Sequence, residues 1–271
     1  MMNITETVKQ LIIINVIFFI GSYLVGGAAT DYLALYPVQS DQFHFWQPIT
    51  HMFMHGNLMH IFFNMFALFS FGSLLERMWG GKKFLFFYFS CGLGAAALHM
   101  GVNYIEIQNI LHQISYMDLS NDTIHQILNI QIIEGNHFSN QLFANGLQPI
   151  LEKYGKLSTL DQTGFNGLFQ AAMLNQTPAV GASGAIYGIM VAFAFLFPNA
   201  ELMMMFIPIP IKAKFFVPII VAIDIYLGIT GKSLFGSGGG IAHFAHIGGA
   251  LVGFIMMWYW KKDQFKNNRW N

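Results

Sequence analysis

Six apolar stretches, each near the length needed to cross a lipid bilayer, constrain this 271-residue chain more than any other feature. They fall at about 8–29, 56–78, 82–102, 183–198, 214–230 and 241–260. A helix that spans the hydrocarbon core takes about 20 mostly apolar residues. The fourth and fifth stretches are short and bordered or interrupted by Pro198, Pro208, Pro210 and Pro218, so their edges are the least defined. Composition excludes the other classes. Charged residues make up 10% of the chain, where a soluble domain carries about 25%. Too few charges remain to cover a water-facing globule. A soluble domain, a disordered chain and a nucleic-acid binder are therefore excluded. One cysteine, Cys91, rules out an internal disulfide and a cysteine-rich metal site. The first stretch has something of a signal peptide, but Lys9 and Glu6 make a poor basic leader for one.

Six spans put both termini on one side, and the basic residues indicate which. Lys9, Arg77, Lys82, Lys83, Lys212, Lys214, Lys261, Lys262, Lys266 and Arg269 fall in one set of loops, leaving Lys153, Lys156 and Lys232 for the other. Both termini are expected to be cytoplasmic, in the plasma membrane of a prokaryote. The glycine-rich loop 231–240 and the long stretch 103–178 would then face outside. That stretch holds Glu106, Asp118, Asp122, Glu134, Glu152 and Asp161 against two lysines. Its runs ILHQISYMDL and HQILNIQII have the spacing of short amphipathic helices, lying on the membrane surface or packed on one another. The expectation is an ordered external insertion within a single membrane domain, 1–271, shaping access without supplying catalytic groups.

Polar groups inside a bilayer are costly, and each is a functional candidate. His60 and Asn64, four apart near the start of the second span, share a helical face. Ser183 opens the fourth span, with Tyr187 one turn on. His246, Gly249 and Gly253 share a face of the sixth. Spans two, four and six run in the same direction, so His60, Ser183 and His246 lie at similar depth, within about 10 Å of their helix ends. Gly184 and Gly188 on one helix and Gly249 and Gly253 on another form small-xxx-small pairs that permit close packing. Such packing would bring His246 to Ser183, with Tyr187 stacked on the imidazole. No aspartate is evident to orient the histidine, which suggests a Ser–His dyad. Asp224, midway along span five, is an expensive buried acid whose role the sequence does not assign.

These residues give the chain its resemblance to a known family. His60-Ile-Phe-Phe-Asn64, Glu76-Arg77, Gly181-Ala-Ser183-Gly184 and Ala245-His246-Ile-Gly-Gly249 resemble the motifs of the rhomboid intramembrane serine proteases, over about 30–102 and 179–260. The resemblance implies an all-α, six-helix bundle, Ser183 as nucleophile and His246 as its base. It also implies a gate at the fifth span and the loop after it, and transmembrane proteins as substrates. No cofactor is required, and the partners are the bilayer and those substrates.

His60 and Asn64 have two readings: interhelical hydrogen-bond glue, or an oxyanion hole with the Ser183 backbone N–H as third donor. A metal at His51, His55 and His60 lacks a cysteine or carboxylate to complete its ligand set. Glu76-Arg77 is expected to tie helix ends together, and Met203-Met204-Met205 to pack in or near the lipid. The rival functions are a non-catalytic client-binding relative, which would lack the serine or histidine, and a channel, which would carry polar residues through the full depth.

Overall fold

The computed structural model describes residues 3–135, 137–204, 207–231 and 240–267. Residues 232–239 of the expected gating loop, with Lys232, lie outside the described residues, as do Met205 of the methionine run and Arg269. The chain divides into two compact units: residues 1–34, 46–99 and 179–271 form the first, and 35–45 with 100–178 form the second.

Among the described residues five helices are long and apolar enough to cross a membrane: Glu6–Val25, Leu58–Trp79, Gly81–Gln113, Ala213–Thr230 and Ile241–Trp260. Large apolar side chains such as Ile17 (61% exposed), Phe254 and Trp258 cover their outer faces. Water would not tolerate so much exposed hydrocarbon, and lipid does. The protein is a multi-pass, all-α membrane bundle. Where six spanning helices were expected, the fourth differs. Ser183–Leu196 has 14 residues, which at 1.5 Å per residue gives about 21 Å, short of the ~30 Å hydrocarbon core. It ends two residues before Pro198, whose ring disfavours helical backbone in the residue before it. All of its residues from Gly184 to Phe193 except Tyr187 are buried. An all-round apolar helix of this kind belongs in the middle of a bundle.

Other edges move for equally local reasons. The first helix stops at Val25 because Gly26 takes φ +75°. The third continues past the expected residue 102 to Gln113, and a turn at Ser115–Met117 follows, closed by Asp118 in the left-handed region at φ 48°. The ILHQISYMDL run is thus a helix end and a turn, not a separate helix.

Glycine decides how the central helix is packed. A Cβ placed on Gly249 would fall inside the Gly184 carbonyl, and one on Gly253 would lie 2.7 Å from the Gly188 Cα. On its other side a Cβ on Gly184 or Gly188 would collide with Ala95 or Cys91 of the Gly81–Gln113 helix. The backbones approach so closely only because side chains are missing, as in other small-residue helix contacts in lipid.

At one end of the bundle Glu76 caps the first helix. Its carboxylate accepts the N–H groups of Thr7 and Val8, both at 2.9 Å, and the Thr5 hydroxyl. These are donors that a helix start otherwise leaves without partners. At the same end Trp79 meets Trp260 edge-on at 5.3 Å, and Lys83 lies 4.0 Å over the Trp260 ring. Residues 201–212, unassigned by pattern, form an antiparallel hairpin of Glu201–Met204 and Ile207–Lys212. Pro208 and Pro210 are tolerated there because the strand is paired on one side.

The second unit has its own core, built from Ile114, Met117, Ile127, Phe143, Leu147, Leu151 and Leu168 among others. Its helices Asn121–Leu128, Asn140–Lys153 and Gln162–Gln176 pack on one another. The side chains of Ser120, Ser139 and Asp161 cap them by accepting the N–H groups of Thr123, Leu142 and Gly164. The Tyr116 hydroxyl bonded to Asp161 and the Lys156 ammonium bonded to Asp118 hold both carboxyls below the usual carboxylate range. Segment 35–45 joins this unit: the Asp41 N–H donates to Asn129 Oδ1 at 2.9 Å.

The glycine contact makes a direct prediction. Gly249→Val should force the central helix and the Ile241–Asn267 helix apart, with overpacking of this kind costing about 1–3 kcal/mol. Thermal unfolding in detergent should register the loss. Parent stability in the variant would contradict the packing described.

Candidate active site

Three helix starts converge at the other end of the first unit. Ser183 is the first residue of its helix, fixed by Gly181 just before it. Gly181 has φ +126°, and its N–H donates to the His51 carbonyl at 2.9 Å. His246 is the sixth residue of Ile241–Asn267. The close approach of Gly249 to Gly184 therefore brings its ring to the serine, with Ser183 Oγ 2.9 Å from His246 Nε2. Tyr187 stacks on the His246 imidazole, centroids 4.3 Å apart and planes 10° from parallel. A serine hydroxyl within hydrogen-bond reach of an imidazole held from behind is the arrangement that activates a nucleophile.

His60, in the first turn of Leu58–Trp79, approaches the same place. Its Nδ1 accepts the Gly56 N–H at 3.4 Å, which in the neutral ring leaves the proton on Nε2. A Cβ placed on Gly181 would lie 2.8 Å from that Nε2 and 3.6 Å from Ser183 Oγ. The His60 N–H and the serine oxygen thus flank one small volume, kept open by the missing side chain at Gly181. Asn64 is buried one turn further on, and its amide donates to the His60 carbonyl at 2.9 Å. A second amide N–H remains for another acceptor. No hydrogen bond joins Asn64 to Ser183 among the described residues.

Of the histidines raised in sequence as a metal set, His51 is bonded to the Gln47 carbonyl at 2.9 Å, and His55 packs edge-on against the His60 ring. The described residues bring together a different group, Asp224, His243 and His246, with one ligand atom of each within 4.8 Å of the others. Asp224 corrects the sequence reading in which no aspartate stood near the histidine. Its Oδ1 lies 3.1 Å from His246 Nδ1 and 2.5 Å from His243 Nδ1, and its carboxylate also meets the Tyr187 hydroxyl. His243 was missed altogether. Its spacing of three from His246 puts both on one helical face, which was the available signal.

Set beside known proteins, this arrangement has relatives. The rhomboid domain family matches residues 42–105 and 151–262. The mitochondrial rhomboid protein 1 of Saccharomyces cerevisiae is 31% identical over 85 residues, 31% of this chain and 23% of that protein. An uncharacterised mitochondrial rhomboid protein of Schizosaccharomyces pombe is 24% identical over 229 residues, 80% of this chain and 52% of its own length. The chain spans about half, or less, of the relatives it matches. The family match covers more than half of the chain, and the chain belongs to the rhomboid family.

Gly181 tests the seating of His60. Gly181→Ala should cost about 1–3 kcal/mol for a side chain held at strained φ. It should also displace the His60 ring and expose it to diethyl pyrocarbonate. Unchanged stability together with unchanged His60 reactivity would mean that the ring does not rest on Gly181.

Proposed function

We propose that this protein is an intramembrane serine endopeptidase that hydrolyses peptide bonds in or near transmembrane segments of other membrane proteins. The observation that carries the proposal is the 2.9 Å separation of Ser183 Oγ and His246 Nε2 in a member of the rhomboid family. Ser183 attacks the scissile carbonyl and its proton passes to His246 Nε2. The histidine then returns that proton to the leaving amine, and water, activated by the same base, releases the acyl-enzyme. The negative charge on the carbonyl oxygen needs donors placed in advance. His60 Nε2–H, the free N–H of Asn64 and the Ser183 backbone N–H, which lies at a helix start without an intrahelical acceptor, fill that role. Gly181 and Gly249 support them by allowing the approaches described above, and Tyr187 holds the imidazole.

Substrates in this proposal are transmembrane helices that unwind easily and offer a small residue at the cleaved bond. The site opens toward the side opposite Lys9, Arg77 and Lys83, and both termini lie on the basic side, the cytoplasm in a prokaryotic plasma membrane. The names of the two yeast relatives place them in mitochondria, and that compartment is not carried over to this chain. In this proposal residues 103–178 tune substrate choice without supplying catalytic groups.

Cleavage of a model transmembrane substrate by purified protein tests the roles. Ser183→Ala and His246→Ala should each abolish turnover while leaving a folded protein, and the double variant should be no worse than either. His60→Ala and Asn64→Ala should each slow turnover by about 10²–10³-fold, the usual cost of one oxyanion donor. Cleavage by Ser183→Ala would end the proposal, and parent rates in both donor variants would leave His60 and Asn64 as interhelical glue.

A further inference from the structure

Among the described residues of the first unit two carboxylates are buried, Glu76 and Asp224. Glu76 is fully occupied in capping a helix. Asp224 has no such duty. It sits midway along Ala213–Thr230 and turns to a different helix, where Oδ1 meets His243 Nδ1 at 2.5 Å and His246 Nδ1 at 3.1 Å. An ionised carboxylate only accepts, so each facing nitrogen must carry the proton. For His246 that has a consequence at the far side of the ring. With the proton on Nδ1, Nε2 presents its lone pair to Ser183 Oγ, 2.9 Å away. This is the tautomer a general base requires, and the opposite one would leave the serine proton without an acceptor.

We propose that Asp224 is the positioning residue of the Ser183–His246 pair, fixing the tautomer and orientation of the base through His246 Nδ1, with His243 holding the carboxylate in place. The proposal rests on the roles given above to Ser183 and His246. When the serine O–H bond breaks and the new C–O bond forms, the proton goes to His246 Nε2. The imidazolium so formed keeps its Nδ1–H, and the Asp224 charge faces it. Asp224 takes no proton; it stabilises the cation until the proton leaves with the amine.

Cost argues for this role over simple helix glue. A carboxylate inside an apolar span is expensive, and an amide would cross-link two helices more cheaply. The spacing also disfavours a resident ion. Metal bonds to nitrogen and oxygen run near 2.0–2.2 Å, and Oδ1 at 2.5 Å from His243 Nδ1 leaves no room for an ion between the two atoms.

The test uses the full chain in lipid bilayers and separates kcat from KM. Asp224→Asn, which keeps shape but presents an amide, should lower kcat by up to about 10⁴-fold, the loss seen when a triad acid becomes an amide. KM and thermal unfolding should stay near parent values, since neither substrate contact nor packing volume changes. Nitrogen NMR of the parent should find the neutral His246 protonated on Nδ1, a readout that needs no variant. An Nε2–H tautomer, or a parent kcat in Asp224→Asn beside an inactive Ser183→Ala, would overturn the positioning role and leave the protease intact. Cleavage by Ser183→Ala would instead remove the reading on which the proposal stands. Activity lost to a chelator and restored by zinc would make the cluster a metal site and also overturn it.

Discussion

The contact between two stretches of bare backbone, Gly184 and Gly188 against Gly249 and Gly253, governs the rest of the molecule. Hydrophobic burial cannot drive helices together in lipid, because lipid tails are as apolar as leucine. What remains is close packing and interhelical hydrogen bonding. The central helix uses both. Four missing side chains let it approach the Ile241–Asn267 helix, and the same approach sets Ser183 at 2.9 Å from His246. Packing and site geometry are therefore one feature: a methyl group added at Gly249 would disturb the distance between serine and histidine.

That geometry carries a polarity problem which the fold solves locally. Ser183, His246, His243, His60, Asn64 and Asp224 are polar groups in an apolar bundle, and each needs a partner. They find one another. The serine faces His246, His243 and His246 face Asp224, and Asn64 reaches back to the His60 carbonyl. Tyr187 covers the imidazole with its ring and reaches Asp224 with its hydroxyl. The opposite end of the bundle is held by Glu76, Trp79, Lys83 and Trp260, where charge and aromatic rings lie close to the chain ends.

Much of this was legible in the sequence, and the residues show why. Helix number and apolar character follow from length and composition, and the glycine spacing on the fourth and sixth helices identified the pair that meets. Ser183 and Tyr187 share a helical face, which periodicity reveals, and the common direction of their helices gives His60, Ser183 and His246 a similar depth. Asp224 was not placed, because a helix almost uniformly apolar around its circumference gives no sign of its rotation, whereas His243, three residues before His246, carried a signal that went unused. The acid's direction depends on how Ala213–Thr230 packs. The 14-residue length of the central helix was blurred by Phe197 and Pro198, which extend the apolar run after the backbone has left the helix. The hairpin at 201–212 reads as an apolar stretch, and its two prolines suggested only an interruption. Segment 35–45 joins the second unit through the Asp41–Asn129 bond, a contact between residues 88 apart that no local pattern can announce.

The central claim is that helix packing, by setting His246 against Ser183, makes the serine a nucleophile inside the membrane. Incubating the intact protein in lipid bilayers with a fluorophosphonate, then mapping the adduct by mass spectrometry, tests it most directly. A single covalent adduct on Ser183, absent after unfolding and absent in His246→Ala, is the predicted result. An unmodified Ser183 in a folded protein, or an adduct formed equally well without His246, would contradict it.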